Sequence, residues 1–242
     1  MLNENDPRLL RIVEDLRRRY KIECRSVELS GARFDYWAPQ DIEELIREVA
    51  ESDFQKDERL PYWCHLWPSA ICLQQFLAAQ TPLWAGQRVL ELGCGLGMNS
   101  FFLQRQASHL ISIDYELIAL QFARLNVILN SDPSCDPRFP FCAMDWRNPA
   151  FKGPFDVMIG SDVLYEKRFF APIIDLIDNF MAPQARLIFS EPGRTVSQGF
   201  IEQLLDSGRH QTRHLIPYQD SAAKIDQDRK STRLNSSHTI QS

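Results

Sequence analysis

What this 242-residue chain lacks narrows it first. No apolar stretch approaches the roughly 20 residues needed to cross a bilayer; runs such as 71–79 and 157–159 are short and broken by polar residues. The opening Met1-Leu2-Asn3-Glu4-Asn5-Asp6 is acidic rather than basic-then-apolar, so no signal peptide is expected. Six cysteines (Cys24, Cys64, Cys72, Cys94, Cys135, Cys142) contain no CxxC pair and have no histidine cluster beside them. That argues against a zinc site, and in a chain this long against a disulfide framework, so reduced and mostly buried thiols are expected. Positive charge is not in excess either: 27 Lys and Arg stand against 32 Asp and Glu, net −5. A nucleic-acid binder relying on a broad basic field is thereby disfavoured. The one basic run, Arg17-Arg18-Arg19, reads as the solvated face of a helix. The expectation is a cytoplasmic protein with no metal, no membrane segment and no nucleic-acid partner.

What is present is ordinary globular material: 44% hydrophobic, 24% charged and 11% aromatic residues, enough to offset the entropy of ordering the chain. Leu9, Leu10, Ile12, Val13 and Leu16 lie on one face of a helix over 7–20, after an Asp6 cap and with Pro7 in its first turn. Residues 23–37 are β-like and end in Phe34, Tyr36 and Trp37; a second helix is expected over 40–50, after Pro39. From residue 87 short apolar runs alternate with helical periods. Strands are expected at 88–92, 110–114, 139–143, 155–161 and 186–190, with a sixth at 210–217; helices are expected at 98–106, 117–129, 169–180 and 196–205. Strands separated by helices imply right-handed crossovers and a mostly parallel sheet covered on both faces.

Val89-Leu90-Glu91-Leu92-Gly93-Cys94-Gly95-Leu96-Gly97-Met98 runs from a strand through a tight loop into a helix. Glycines allow positive φ and let a ligand approach the backbone unobstructed. In an open α/β sheet such a loop lies at the carboxyl ends of the strands, where ligands bind. The dinucleotide fingerprint G-x-G-x-x-G is not met, because position 98 is Met, and no G-K-[ST] follows for a P-loop. E-x-G-x-G-x-G is instead the first motif of class I methyltransferases dependent on S-adenosyl-L-methionine (SAM). Asp114 ends the next apolar strand seventeen residues after Gly97, where a carboxylate can accept both hydroxyls of a ribose; the plainer reading of such an acid is a helix cap.

Further blocks narrow the resemblance. Pro61-Tyr62-Trp63, Leu66-Trp67-Pro68-Ser69-Ala70, Asp145-Trp146 and Gly160-Ser161-Asp162-Val163-Leu164-Tyr165 are similar to those of the D-x-x-Y protein-lysine methyltransferases. Glu191-Pro192-Gly193-Arg194 resembles the block of the branch acting on the β-subunit of electron transfer flavoprotein. This resemblance spans roughly residues 60–206. It implies SAM as cofactor and a lysine-bearing protein as partner. It implies that Glu91, Gly93 and Gly95, with Gly97 in the same loop, serve the methionine moiety. Asp114 would hold the ribose and Asp145 the adenine amino group, while Trp146 flanks the base and Trp67 closes the pocket. Asp162 and Tyr165 are the implied catalytic pair: Asp162 orients the amine and takes its proton, and Tyr165 shapes the channel. The bland alternatives are core packing for Trp63, Trp67, Trp146 and Tyr165, and a turn cap for Asp162. Glu191 and Arg194 either shape the substrate mouth or pair with each other, and His65 reads as a packed or capping residue.

The fold expected is a doubly wound, mostly parallel α/β sheet, a Rossmann-like methyltransferase fold with a helical and β N-terminal extension. Residues 1–60 form that extension, packed on the core, and 61–227 the SAM-dependent methyltransferase domain. Residues 228–242 are a non-native tail, because Asp228-Arg229-Lys230-Ser231-Thr232-Arg233-Leu234-Asn235-Ser236-Ser237-His238 resembles the translation of a common sequencing-library adapter. The last β-strand is therefore expected to be missing. Two other functions stay open at this level: a small-molecule N-methyltransferase and a non-catalytic SAM-binding domain.

Overall fold

The computed structural model describes residues 7–29, 31–43, 45, 47, 60–132, 141–218 and 236–241. Helix α1 (Pro7–Arg17) starts on proline, whose fixed φ suits a first helical turn, and buries Leu9 and Leu16. The expected Asp6 cap lies outside the described residues. Strands β1 (Ile22–Leu29) and β2 (Ala32–Pro39) form an antiparallel hairpin running from Ile22↔Pro39 to Leu29↔Ala32. Of the helix expected over 40–50, Ile42, Glu43, Leu45 and Arg47 are helical and the remainder lies outside the described residues.

Helix α2 (Pro68–Ala79) has no counterpart among the expected elements. It buries Ser69, Ala70, Ile71, Cys72, Leu73, Gln74, Phe76 and Leu77, so almost every side faces protein and no apolar stripe marks its period. The alternation that follows matches expectation closely: β3 (Arg88–Leu92), α3 (Met98–Leu103), β4 (His109–Asp114), α4 (Leu117–Asn130), β5 (Phe141–Ala143), β6 (Phe155–Ser161), α5 (Phe170–Phe180), β7 (Met181–Glu191), α6 (Thr195–Asp206) and β8 (Arg213–Tyr218). Residues 139–140, expected to open β5, lie outside the described set, and β7 begins five residues earlier than its apolar run.

One expectation is corrected. The last strand is present: β9 (Ser236–Gln241) lies between β7 and β8 and is antiparallel to both, giving the order β5-β4-β3-β6-β7-β9-β8. It is drawn from the adapter-like tail. The physical reason is that ladder pairing belongs to the main chain. Two facing strand edges offer unpaired N–H and C=O groups, which an extended hexapeptide can satisfy whatever its side chains.

The five strands β3–β7 are parallel and covered on both faces. Successive residues of β3 point to opposite sides: Leu90 and Leu92 pack with Phe170, Ile173 and Phe200 from α5 and α6, and Val89 packs with Leu73, Leu77 and Trp84. Register sets up the site. Leu92 pairs with Ile113 on one side and Gly160 on the other, so the carboxyl ends of β3, β4 and β6 finish at one level. Strand order reverses between β4 and β6 about β3, and at such a switch point a crevice opens outside the strand ends.

Candidate active site

Three glycines shape the loop after β3. Gly93, Gly95 and Gly97 all have positive φ (62°, 50° and 80°). They do different work. A Cβ on Gly97 would come within 2.8 Å of Ala123, so Gly97 lets α4 approach the loop. A Cβ on Gly95 would meet only Trp63 main-chain atoms, the carbonyl oxygen at 3.5 Å and Cα at 3.9 Å, both ordinary contacts. The Gly95 N–H donates to Asp114 Oδ2 (2.9 Å), and the Glu116 N–H donates to Asp114 Oδ1 (3.1 Å). Each carboxylate oxygen of this buried strand-end acid keeps a lone pair for a ligand. Burial pushes Asp114 up to about 6, against the lowering effect of those two N–H groups.

Around this loop a recess of about 1360 Å³, its open mouth included, is lined by Gly93, Gly95, Asp114, Asp145 and Trp146 on the β3–β5 side. Trp67, Asp162, Val163, Tyr165 and Phe169 line it on the other. Eight of the ten residues singled out in the sequence thus face one cavity. Glu91 and Gly97 do not line it. Glu91 is buried behind the wall, where Oε2 accepts the hydroxyls of Ser100 and Ser112 (the latter at 2.6 Å); desolvation pushes it up to about 7. Asp145 is gripped by Arg147, whose Nε lies 2.9 Å from both carboxylate oxygens.

The mouth is aromatic. Tyr165 lies edge-on to Tyr62 (5.4 Å between centroids) and to Phe169 (5.3 Å), and Phe169 in turn to Trp146 (5.2 Å). The Trp67 indole N–H donates to the Tyr62 carbonyl (2.8 Å), fixing that ring at the cavity wall. Burial raises Tyr165 well above the usual phenol range, so it stays a neutral hydrogen-bonding group at physiological pH. His65 packs against the Trp67 ring at 5.0 Å, and burial lowers its pKa. Trp63 is a core ring against Phe122 and Tyr20.

Asp162 stands just past β6 with φ 57°, a left-handed conformation that aspartate adopts more readily than most residues. Its N–H donates to the Ser190 carbonyl (2.7 Å), and its carboxylate is gripped by both terminal nitrogens of Arg194 (Nη2–Oδ2 3.2 Å). Arg194 thus pairs with Asp162 rather than with Glu191. Glu191 instead accepts the main-chain N–H groups of Gly193 and Arg194 and the Ser197 hydroxyl, each at 2.9 Å. The sequence also left out Asn99, a buried cavity residue whose Oδ1 has no hydrogen-bond partner among the described residues. Its place directly behind the glycine loop was the available signal.

A family model described as lysine methyltransferase matches residues 50–206, well over half of the chain. The chain belongs to the lysine methyltransferase family. The electron transfer flavoprotein beta subunit lysine methyltransferase of Mus musculus is 28% identical over 65% of this chain and 58% of its own. The ubiquinone biosynthesis O-methyltransferase of Xylella fastidiosa (strain 9a5c) is 30% identical over 61% and 62%. The chain therefore spans less than two thirds of the length of these curated relatives. Among solved structures, the N-methyltransferase NodS from Bradyrhizobium japonicum WM9, in complex with S-adenosyl-L-homocysteine, shares the fold with a TM-score of 0.53 at 18% identity, covering 83% of this chain and 95% of that one.

Membership in the lysine methyltransferase family implies SAM as cofactor, and the residues present fit such a molecule. Aromatic walls suit an adenine, and the strand-end carboxylate with a free lone pair on each oxygen suits a ribose diol. Two buried cavity-wall atoms, Asn99 Oδ1 and Trp146 Nε1, lack a partner among the described residues and suit a polar ligand. Among the described residues no group of three His, Cys, Asp or Glu is arranged to hold a metal ion. No helix among them is long and apolar enough to cross a membrane.

Proposed function

We propose that the chain is a SAM-dependent N-methyltransferase that methylates lysine side chains of a protein in the cytoplasm. The observation that carries this reading is the placement of Asp162 and Tyr165 on the same cavity as the glycine loop and Asp114. When bound, SAM supplies a methyl group activated by a sulfonium charge. In this reading Asp114 accepts the ribose hydroxyls, Asp145 the adenine amino group, and Trp146 flanks the base, with Trp67 closing the wall. Gly93 and Gly95 leave the backbone open to the methionine moiety. Glu91 and Gly97 support the loop from behind.

On the acceptor side a lysine reaches the site as a cation, its ordinary pKa being about 10.4, and must be neutral when it attacks. A cationic sulfonium nearby lowers that value by like-charge repulsion, and Asp162 orients the amine and receives its proton. Tyr165, Tyr62 and Phe169 exclude water around the amine, so positioning and desolvation do most of the catalytic work.

Calorimetric titration of the full chain with SAM and, separately, NAD tests the cofactor. Micromolar binding of SAM alone is expected, and NAD binding without SAM binding would overturn the reading. Labelled SAM offered with recombinant electron transfer flavoprotein then reports transfer. The small-molecule reading draws support from the match to a ubiquinone biosynthesis O-methyltransferase. Label in a small amine instead of protein would favour it.

A further inference from the structure

The acceptor carboxylate already holds a cation. The Asp162 side chain is 9% exposed, and its backbone is fixed by the N–H bond to Ser190. Arg194 has a rigid root and a partly solvent-exposed head. Its N–H is held by Glu191, and its carbonyl accepts both the Ser197 hydroxyl (2.7 Å) and the Ser197 N–H (3.2 Å), while its side chain is 37% exposed. Asp162 is among the residues lining the cavity and Arg194 is not.

We infer that Arg194 is a positioning residue whose guanidinium occupies Asp162 until a cationic amine from the substrate displaces it. This deepens the methyltransferase reading and rests on it, since that reading places the acceptor amine at Asp162. A carboxylate this buried is costly to leave without a counter-charge, so the seat is never empty. Replacing one cation with another preserves the charge of the site, and the solvent-reaching arginine head can swing out without moving its backbone. A neutral hydroxyl cannot compete with a guanidinium fork for a carboxylate. The exchange therefore selects amines over alcohols, at the cost of weaker amine binding.

The probe is n-butylammonium, a mimic of the lysine side chain, titrated calorimetrically into the full chain saturated with S-adenosyl-L-homocysteine. Arg194→Gln removes the competitor and is expected to tighten butylammonium binding about tenfold, because the competent state is no longer the minor one. SAM affinity should stay within twofold, roughly the scatter expected where no ligand contact is lost. Methylguanidinium added to Arg194→Gln should compete with the amine, a signature that a merely structural arginine would not produce. If Arg194→Gln fails to fold, Arg194→Lys carries the test through a smaller gain. Equal or weaker amine binding in a folded variant overturns the inference. Asp162→Asn separates the two levels: amine binding as strong as in the parent overturns the functional reading itself. Loss of binding there, with no change in Arg194→Gln, overturns only the role of Arg194.

Discussion

Asn126 and Asn130, one turn apart on α4, pair with alternate residues of β2 as though they were the next strand. Asn126 accepts the Trp37 N–H (2.7 Å) and donates to its carbonyl (3.1 Å); Asn130 does the same for Asp35 (3.0 and 2.6 Å). The match is geometric: two strand residues rise about 6.6 Å and four helical residues about 6 Å. Asn126 also donates to the Leu96 carbonyl (3.0 Å), so one side chain ties the N-terminal hairpin to the glycine loop.

Asn126→Ala therefore strands buried main-chain groups at both places and is expected to lower stability by roughly 2 kcal/mol. A urea titration of the full chain measures this. A loss under about 0.5 kcal/mol, the range of an ordinary surface change, would show that the amide bridge is not what holds the hairpin.

The loop glycines separate by role. Gly97→Ala forces a Cβ onto Ala123 at left-handed φ and should cost about 3 kcal/mol in a thermal or urea melt. Gly95→Arg meets no such wall and carries only left-handed backbone strain of about 1–2 kcal/mol, so the protein should remain folded and lose SAM binding as the side chain fills the approach. Normal SAM affinity in Gly95→Arg would remove this loop from the cofactor site.

Asp162→Asn keeps a residue tolerant of positive φ and removes the charge. Methyl transfer should fall by about 100-fold or more, the usual scale of general-base loss, with SAM affinity nearly unchanged. Undiminished turnover would exclude Asp162 from the reaction.

Two raised carboxyls give a pH signature. In the unfolded chain Asp114 and Glu91 ionise near pH 4, whereas burial holds their protons to about 6 and about 7 in the folded chain. Folding takes up protons across that window, so their contribution to stability falls as pH rises from about 4 to 7, by about 3 kcal/mol at most for each. Glu91→Gln should flatten this slope relative to the parent; identical slopes would refute the assignment. Ribose hydroxyls favour the ionised form of Asp114, so SAM affinity should strengthen as pH rises through about 6. A flat profile from pH 5 to 7.5 would contradict contact with that carboxylate.

Much of this was legible from local pattern. The parallel strands announced themselves as short apolar runs because both their faces are buried, and the glycine loop and Asp114 stood out because a tight positive-φ turn demands glycine and an acid closing an apolar strand breaks its pattern. Helix α2 was invisible for the converse reason: burial on nearly every side erased its period. Glu91 and Gly97, grouped in sequence with the cavity-facing residues, lie behind the wall, since a loop motif cannot say which of its members point inward.

The sequence by itself determined the alternation of strands and helices from β3 to α6, the glycine turn, and the acid that closes β4, all consequences of spacing along the chain. Tertiary structure alone decided the partners: Arg194 on Asp162 rather than Glu191, Asn126 across to Trp37, and β9 between β7 and β8. These contacts join residues remote in the chain. Their choice depends on which ends of the sheet reach the same level and which charges and main-chain groups are left there to be satisfied.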